Sequence, residues 1–297
     1  MTDRLLWAGV SAVLVSAGLT FGLVRLGAHW RLRARRDGRG LGGPAVVLGV
    51  LVGITPALPE VGTWLALGGA SIILVGLLDD LLDLSPWQKL LGQAVGASLA
   101  AVGLAQAAPV LFGVNVPLGT GRIVVTFLWV LALTNAVNLI DGLDGLAVGV
   151  LLAPLACLLA VSVRHGMPVE GMAVVATLAA LVGFGPANVG PARLLLGDTG
   201  AEFLGYLLAV FSLAVLRRGE TGWAVFPAVL LAVVPLGDTL FAVARRVVAK
   251  KPVFGRDEGH IHHRLAARLG TRGAVAALTG MSLVASGLAF LLWSAGA

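Results

Sequence analysis

The chain has 297 residues, of which 58% are hydrophobic and only 12% are charged, and its mean hydropathy is +0.96. A water-soluble domain of this length could not bury so much apolar surface, so the composition excludes a soluble globular protein. The apolar runs are long and continuous, which excludes a barrel of short alternating strands. The single cysteine, Cys157, excludes an intrachain disulfide. The composition therefore predicts an all-α polytopic membrane protein, with one integral membrane domain over residues 1–297.

The apolar runs divide the chain into about ten candidate transmembrane helices, since a helix needs about 20 apolar residues to cross the hydrocarbon core. Between the fourth and fifth candidates, residues 109–122 are rich in β-branched and turn residues, which favour a small external β-hairpin. The ten candidates cover residues 5–28, 43–59, 61–78, 90–108, 122–138, 145–163, 169–187, 200–216, 223–244 and 273–294.

Lysine and arginine are concentrated on one side of this topology. The positive-inside rule makes that side cytoplasmic and places both termini outside. The same bias accounts for the basic pI of about 10.6, so the pI does not indicate that the protein binds nucleic acid. All polar motifs then lie at the cytoplasmic surface, whereas one miscounted helix would scatter them over both faces. The cytoplasmic loops are residues 29–42, 79–89, 139–144, 188–199 and 245–272.

The first polar motif, Asp-Asp-Leu-Leu-Asp, closes the third candidate helix. Its spacing places Asp79 and Asp83 on one helical face, with Asp80 beside them. Carboxylates this close repel one another unless a cation or a proton intervenes. Carboxylate and phosphate oxygens are the ligands that Mg²⁺ prefers, so the motif favours a magnesium site. The alternative interpretation is a solvated helix end.

A second motif places Asn135, Asn138, Asp141 and Asp144 at three-residue steps along the end of the fifth candidate helix. Such a row of donors and acceptors on one face suits the base and ribose of a nucleotide. Helix capping by Asn and Asp is the alternative, and it accounts for one or two of the four residues.

The third motif begins at Asn188, in a loop that leads into the eighth candidate helix. Asp198 lies at the expected start of that helix, where free amide groups and the helix dipole attract an anion. A carboxylate there could hold a metal ion whose other ligands are phosphate oxygens. The alternative is an ordinary Asp N-cap.

Asp238 lies within the ninth candidate helix, where Pro235 and Gly237 indicate a local kink. A buried acid needs a partner, and the candidates are Arg245, Arg246 or a polar group on another helix. Structural and functional roles are both open for this aspartate.

The last motif contains His260, His262, His263 and Arg264 in a cytoplasmic loop. Histidine and arginine together bind phosphate oxygens. Structural zinc is the alternative, but the chain has only one cysteine, which lies elsewhere. Lys89, just before the fourth candidate helix, would either reach a phosphate group or extend to the membrane surface.

Four of these motifs together resemble the polyprenyl-phosphate N-acetylhexosamine-1-phosphate transferases. His-Ile-His-His is similar to the WecA and TagO branch, whereas the related MraY branch has three consecutive histidines. The first cytoplasmic loop departs from that branch, because residues 35–43 keep Arg39, Gly42 and Gly43 but lack its His and Pro-Arg. The motifs are DDLLD (79–83), NAVNLIDGLDGLA (135–147), PARLLLGDTG (191–200) and HIHHR (260–264).

The resemblance implies transfer of a sugar-1-phosphate, GlcNAc-1-phosphate in first choice, from a UDP-sugar to polyprenyl (undecaprenyl) phosphate. UMP leaves, and the lipid-linked product feeds cell-envelope glycan synthesis. Mg²⁺ is the implied cofactor, with Mn²⁺ as an alternative, and the implied location is the bacterial cytoplasmic membrane. Alternatives are an MraY-like enzyme that uses UDP-MurNAc-pentapeptide and, more distantly, a UbiA-type prenyltransferase or an ion-coupled transporter. A homodimer is one of the oligomeric states left open.

The resemblance also implies roles, carried over motif by motif. It leaves open whether the acceptor attacks directly or an aspartate first forms a covalent intermediate. The implied catalytic residues are Asp79, Asp80, Asp141 and Asp144, the metal ligands are Asp198 and Asp80, and the substrate-binding residues are Lys89, Asn135, Asn138, Asn188, His260, His262, His263 and Arg264.

Overall fold

A computed structural model describes residues 2–30, 41–107, 119–216, 225–252, 257 and 259–295, and the regular structure within these ranges is helical. The helices are α1 (Thr2–Trp30), α2 (Gly42–Gly53), α3 (Thr63–Leu82), α4 (Pro86–Ala107), α5 (Gly119–Ile140), α6 (Leu146–Arg164), α7 (Pro168–Asn188), α8 (Gly197–Leu216), α9 (Val225–Leu231), α10 (Val233–Val248) and α11 (Ile261–Ala295).

Six of the described helices are long and apolar enough to cross a membrane, or up to seven if the bent pair α9–α10 counts as one span. The prediction of an all-α polytopic membrane protein is confirmed, whereas the number of about ten spans is not. The second candidate, residues 43–59, shows one reason. Its α-helix ends at Gly53, and the 3₁₀ turn Thr55–Glu60 follows, with prolines at positions 56 and 59.

Helices α9 and α10 are bent by 78° against each other at Ala232. Pro235 explains the position of this break, because a proline ring clashes with the carbonyl four residues earlier. That carbonyl belongs to Leu231, the last residue of α9. The predicted kink is confirmed, and Asp238 consequently lies in the first half of α10.

Helix α11 runs from Ile261 to Ala295 with a non-helical residue at Gly270. His262, His263 and Arg264 therefore lie in the first turn of a helix, and the predicted loop is wrong at this point. The predicted hairpin lies outside the described residues at positions 109–118, while residues 119–122 begin α5. Arg39 also lies outside the described residues.

Helix α8 is the centre of the described helices. Every residue from 201 to 214 is buried, and the helix packs against α2, α3, α4, α5, α6, α7 and α9. An apolar helix that is covered on all sides belongs in the interior. Its amino end contacts the start of α2, where the backbone amide of Gly42 donates a hydrogen bond to the carbonyl of Leu195 (2.9 Å). The polar motifs gather around this end of α8.

Candidate active site

Asp80, in the last turn of α3, caps helix α8. Its carboxylate accepts hydrogen bonds from the backbone amides of Asp198 (2.9 Å) and Thr199 (3.0 Å), and from the Thr199 hydroxyl (2.5 Å). The first amides of a helix lack partners within the helix, so a carboxylate from another helix satisfies them here. Two motifs are thus in direct contact through residues 118 positions apart in the chain. Asp198 lies at the helix start, as predicted, and Asp80 performs the capping, so the Asp198 carboxylate faces other partners.

Lys89 of α4 lies at the centre of three carboxylates. Its ammonium group forms ion pairs with Asp79 (2.7 Å), Glu202 (3.0 Å) and Asp198. Each of these acids offers an oxygen within 4.8 Å of the others, which is close enough for one metal ion. We call Asp79, Asp198 and Glu202 the acid cluster.

Glu202 was not identified by the sequence analysis. Its side chain is fully buried, and Oε1 pairs with the Lys89 ammonium group 3.0 Å away. One signal was available, because Glu202 follows Asp198 by four residues and therefore lies on the same face of α8. An acid within an apolar helix is costly unless it has a function or a partner.

Asp79 and Asp83 do not share a helical face, so this prediction is wrong. Helix α3 ends at Leu82, and Asp83 has the left-handed backbone conformation (φ 52°) with an exposed side chain. Asp79 instead accepts a hydrogen bond from the backbone amide of Leu84 (2.8 Å) with the oxygen that does not bind Lys89. This bond closes the α3–α4 turn and orients Asp79 towards the lysine.

Asp141 and Asp144 lie in the turn between α5 and α6, which we call the Asp141 turn (residues 141–145). The Asp144 carboxylate accepts a hydrogen bond from the backbone amide of Ala192 (2.9 Å). Burial raises the pKa of Asp141 well above its usual range, and the negative charges of Asp198, Asp80 and Asp144 raise it further. Asp141 therefore belongs electrostatically to the same site as the acid cluster.

The predicted row of four residues on one face is wrong, because α5 ends at Ile140. Within α5, the amide group of Asn135 donates hydrogen bonds to Gln93 of α4 (2.8 Å) and to the carbonyl of Leu131 (2.9 Å). Asn138 is partly buried and forms no side-chain hydrogen bond with the described residues. The two asparagines therefore differ, since Asn135 joins two helices and Asn138 does not.

Asn188, which is 2% exposed, joins the Asp141 turn to the loop before α8. Its oxygen accepts a hydrogen bond from the backbone amide of Gly145 (3.1 Å), and its amide group donates one to the carbonyl of Leu194 (3.1 Å). Both bonds are internal to the protein. The structure thus places Asn188 behind the site as a link between two loops.

We expect Asn188→Ala to lower thermal stability, because it removes both links and leaves a buried amide and a buried carbonyl without partners. Each unsatisfied buried group costs about 1–3 kcal/mol. The measurement is the midpoint of thermal unfolding of the detergent-solubilised protein. Asn138→Ala is the matched control, and its midpoint should stay within a few degrees of the wild type. An Asn188→Ala protein with wild-type stability and lost nucleotide binding would contradict this role.

Asp238 of α10 is the centre of a second buried cluster. Its carboxylate accepts hydrogen bonds from Nδ1 of His260 (2.7 Å), Nδ1 of His262 (3.1 Å) and the backbone amide of His262 (3.1 Å). A polar partner on another helix was one of the predicted alternatives, and it is the one observed. The two arginines expected as alternative partners pair with Asp257 instead.

The start of α11 reaches the Asp141 turn through His262. The ring of this residue lies so close to Gly142 that a Cβ atom there would be 2.6 Å from its Nε2 atom. The ring centroid of His263 is 4.2 Å from that of His262, and the exposed Arg264 lies 5.4 Å from the centre of the Phe241 ring. All four sequence motifs therefore meet at one end of the helices.

Comparisons with known proteins agree with this arrangement. Glycosyl transferase family 4 matches residues 63–216, which run from the start of α3 to the end of α8. A Bacillus subtilis protein named "Probable undecaprenyl-phosphate N-acetylglucosaminyl 1-phosphate transferase" is 35% identical over 234 residues, which are 76% of this chain and 65% of the relative. The chain thus covers less than two thirds of this relative's length.

Two further relatives differ in the transferred group that their names give. The "Undecaprenyl-phosphate alpha-N-acetylglucosaminyl 1-phosphate transferase" of Thermotoga maritima is 32% identical over 255 residues, 84% of this chain and 78% of the relative. A "Phospho-N-acetylmuramoyl-pentapeptide-transferase" of Staphylococcus epidermidis is 31% identical over 154 residues, 51% of this chain and 46% of the relative. The family match includes the acid cluster, Lys89, Asp80 and the Asp141 turn. This chain is a member of glycosyl transferase family 4.

Proposed function

We propose that this protein transfers GlcNAc-1-phosphate from UDP-GlcNAc to undecaprenyl phosphate or a similar polyprenyl phosphate. The observation that carries the proposal is the convergence of the acid cluster, Lys89 and Asp141 at one end of a membrane helix bundle. Two anionic phosphate groups repel each other, and a cation held by such a cluster offsets that charge. The names of the relatives with the higher coverage support the transferred group and the acceptor.

The acid cluster fits a hard divalent cation, Mg²⁺ in first choice and Mn²⁺ as the alternative. Glu202 supports this assignment, because three carboxylates converge here and the single positive charge of Lys89 offsets only one of their negative charges. We assign Asp79, Asp198 and Glu202 as the ligands. When bound, the cation would neutralise the donor diphosphate and stabilise UMP as it leaves. Asp80 was expected as a ligand, but its hydrogen bonds favour a role in holding Asp198.

The protein's own groups would orient the two substrates. The acceptor phosphate is largely dianionic near neutral pH, since phosphate monoesters have a second pKa of about 6, so it needs little help from a base. One of its oxygens forms a bond to the sugar-bearing phosphorus, and the bond from that phosphorus to the UMP oxygen breaks. Asp141 and Asp144 would orient the donor. A phosphorylated enzyme formed with donor alone would reject direct attack.

The donor phosphates would be bound by cationic side chains in and around the site. We assign Lys89, His263 and Arg264 to this role, and Asn138 to the nucleotide. His260 and His262 were also expected to bind the donor phosphates, but each directs its Nδ1 atom to Asp238. The protein would lie in the bacterial cytoplasmic membrane with this site facing the cytoplasm, where the water-soluble donor and the lipid acceptor can meet.

The test is release of UMP by the detergent-solubilised protein with undecaprenyl phosphate and a panel of UDP-sugars, with and without Mg²⁺. We expect release with UDP-GlcNAc that requires the lipid and the cation. Release with UDP-MurNAc-pentapeptide alone would instead favour the second candidate function, for which the Staphylococcus relative is the support. Absence of UMP release with every donor would contradict the proposal.

Lys89→Met provides a separate prediction about the cation. The ammonium group of Lys89 occupies the centre of the acid cluster and competes with any other cation there. We therefore expect the variant to bind Mn²⁺ at least about tenfold more tightly in the absence of donor, since a factor of ten corresponds to about 1.4 kcal/mol. The measurement is electron paramagnetic resonance of free Mn²⁺.

Turnover of Lys89→Met should nevertheless fall, because the donor diphosphate loses a positive charge. Arg193→Met is the control for loss of a cation outside the acid cluster, since its guanidinium binds the carbonyl of Pro186. Weaker Mn²⁺ binding by Lys89→Met would show that the lysine supports the cation site and does not compete for it.

A further inference from the structure

The Asp238 cluster, formed by Asp238, His260 and His262, contacts the Asp141 turn through His262, and no role follows for it from the proposed chemistry. Asp238 is 2% exposed, His260 is 6% exposed and His262 is fully buried. The carboxylate accepts three hydrogen bonds, two of them from His262, so the position and ring orientation of that histidine are both determined. A buried carboxylate with several donors is a strong anchor.

His262 cannot reach a substrate phosphate in this arrangement. Its Nδ1 atom is bonded to Asp238, and its Nε2 atom is buried without a hydrogen-bond partner among the described residues. Nε2 faces Gly142, where even a methyl group would be too close. The imidazole therefore fills the space between α10 and the Asp141 turn.

The Asp141 turn is thus supported from two directions. On one side Asn188 binds the amide of Gly145, and Asp144 binds the amide of Ala192. On the other side the ring of His262 packs against Gly142, the residue that follows Asp141. A shift of the ring would leave this half of the turn without support, and the adjacent Asp141 carboxyl would move relative to Asp198 and Asp80.

We propose that Asp238 and His262 are positioning residues: the buried carboxylate holds the imidazole, and the imidazole holds the Asp141 turn against the cation site. His262 is then a support for Asp141 and not a ligand of the donor diphosphate. The assignment of the cation site rests on the proposed function, but the positioning role can be measured without any sugar donor.

The experiment measures Mn²⁺ affinity by electron paramagnetic resonance, without a sugar donor, together with thermal unfolding. We expect His262→Ala and Asp238→Ala each to weaken Mn²⁺ binding about tenfold or more. The double variant should bind Mn²⁺ no more weakly than either single variant, because both substitutions remove the same support of the Asp141 turn. Asp238→Asn keeps the side-chain volume and replaces the alanine variant if that protein does not fold. His165→Ala, at the end of α6, is the control.

A second cycle tests whether the effect acts through Asp141. His262→Ala should weaken Mn²⁺ binding in the wild-type background but should not weaken it further in the Asp141→Asn background. General destabilisation would instead lower the Mn²⁺ affinity equally in both backgrounds. His263→Ala should retain the wild-type Mn²⁺ affinity and raise the KM for UDP-GlcNAc.

Two results would overturn the proposal. One is a His262→Ala protein with unchanged Mn²⁺ affinity and a raised KM for UDP-GlcNAc at unchanged kcat, which would make His262 a direct ligand. The other is stoichiometric zinc in the wild type that is lost in His262→Ala, which would make the Asp238 cluster a structural metal site. If the wild type releases no UMP but follows the expected Mn²⁺ pattern, the proposed function fails and the positioning role stands.

Discussion

Asp198→Asn should reduce UMP release at least about 100-fold, because charge stabilisation in such sites is worth several kcal/mol. The substitution removes one negative charge from the acid cluster and one ion pair from Lys89. It preserves the side-chain shape and the hydrogen bond that the backbone amide of residue 198 donates to Asp80. We therefore expect a folded protein with weakened Mn²⁺ binding. The measurements are the rate of UMP release, the Mn²⁺ affinity and the midpoint of thermal unfolding.

Asp83→Asn is the matched control for this experiment. Asp83 belongs to the same sequence motif as Asp79 and Asp80, but it is exposed and lies outside the acid cluster. Its backbone is left-handed, a conformation that Asn adopts as readily as Asp. Activity within about twofold of the wild type is expected. Full activity of Asp198→Asn would remove Asp198 from the site and with it the proposed cation ligands.

Gly76→Ala should disable the site through packing alone. Gly76 of α3 lies against the first turn of α8, where an added Cβ atom would be 2.6 Å from Cα of Thr199 and 2.9 Å from the carbonyl oxygen of Asp198. Both atoms are backbone, so the helices themselves must separate. Overpacking of this kind costs about 1–3 kcal/mol. The separation would lengthen the hydrogen bonds from α8 to Asp80, one turn further along α3.

We therefore expect Gly76→Ala to lower both the unfolding midpoint and, at least about tenfold, the rate of UMP release. Gly280→Ala in α11 is the control, because none of the described residues outside its own helical turn comes within 4 Å of the added Cβ and alanine favours helix formation. Equal effects of the two substitutions would show that the close approach of α3 to α8 has no special importance. An active Gly76→Ala protein would show that the site tolerates displacement of Asp80 from the first turn of α8.

The local features of the site could be predicted from the sequence. A long apolar run after Gly-Asp-Thr-Gly placed Asp198 at a helix start, and α8 begins at Gly197. Proline placed a break before Asp238, and the 78° bend is there. These features depend on the conformational limits of single residues and on hydrophobic runs, which neighbouring residues determine.

Other predictions failed where a helix end had to be located from the sequence. Asp83 was placed on the face of Asp79, but the helix ended one residue earlier. His262 and His263 were placed in a loop, but they begin α11. Helix boundaries are difficult to predict because the residues near an end have weak preferences, and contacts with the rest of the protein decide between helix and turn.

Composition was sufficient to identify a helical membrane protein, and the motifs were sufficient to identify its transferase family. Only the tertiary structure decided which partner each polar group has. Asp80 accepts a hydrogen bond from an amide 118 residues later, Lys89 joins acids from α3 and α8, and Asp238 anchors histidines at the start of another helix. The physical reason is that a buried charge needs a partner nearby in space, and neither its position in the chain nor its residue type specifies which partner that is.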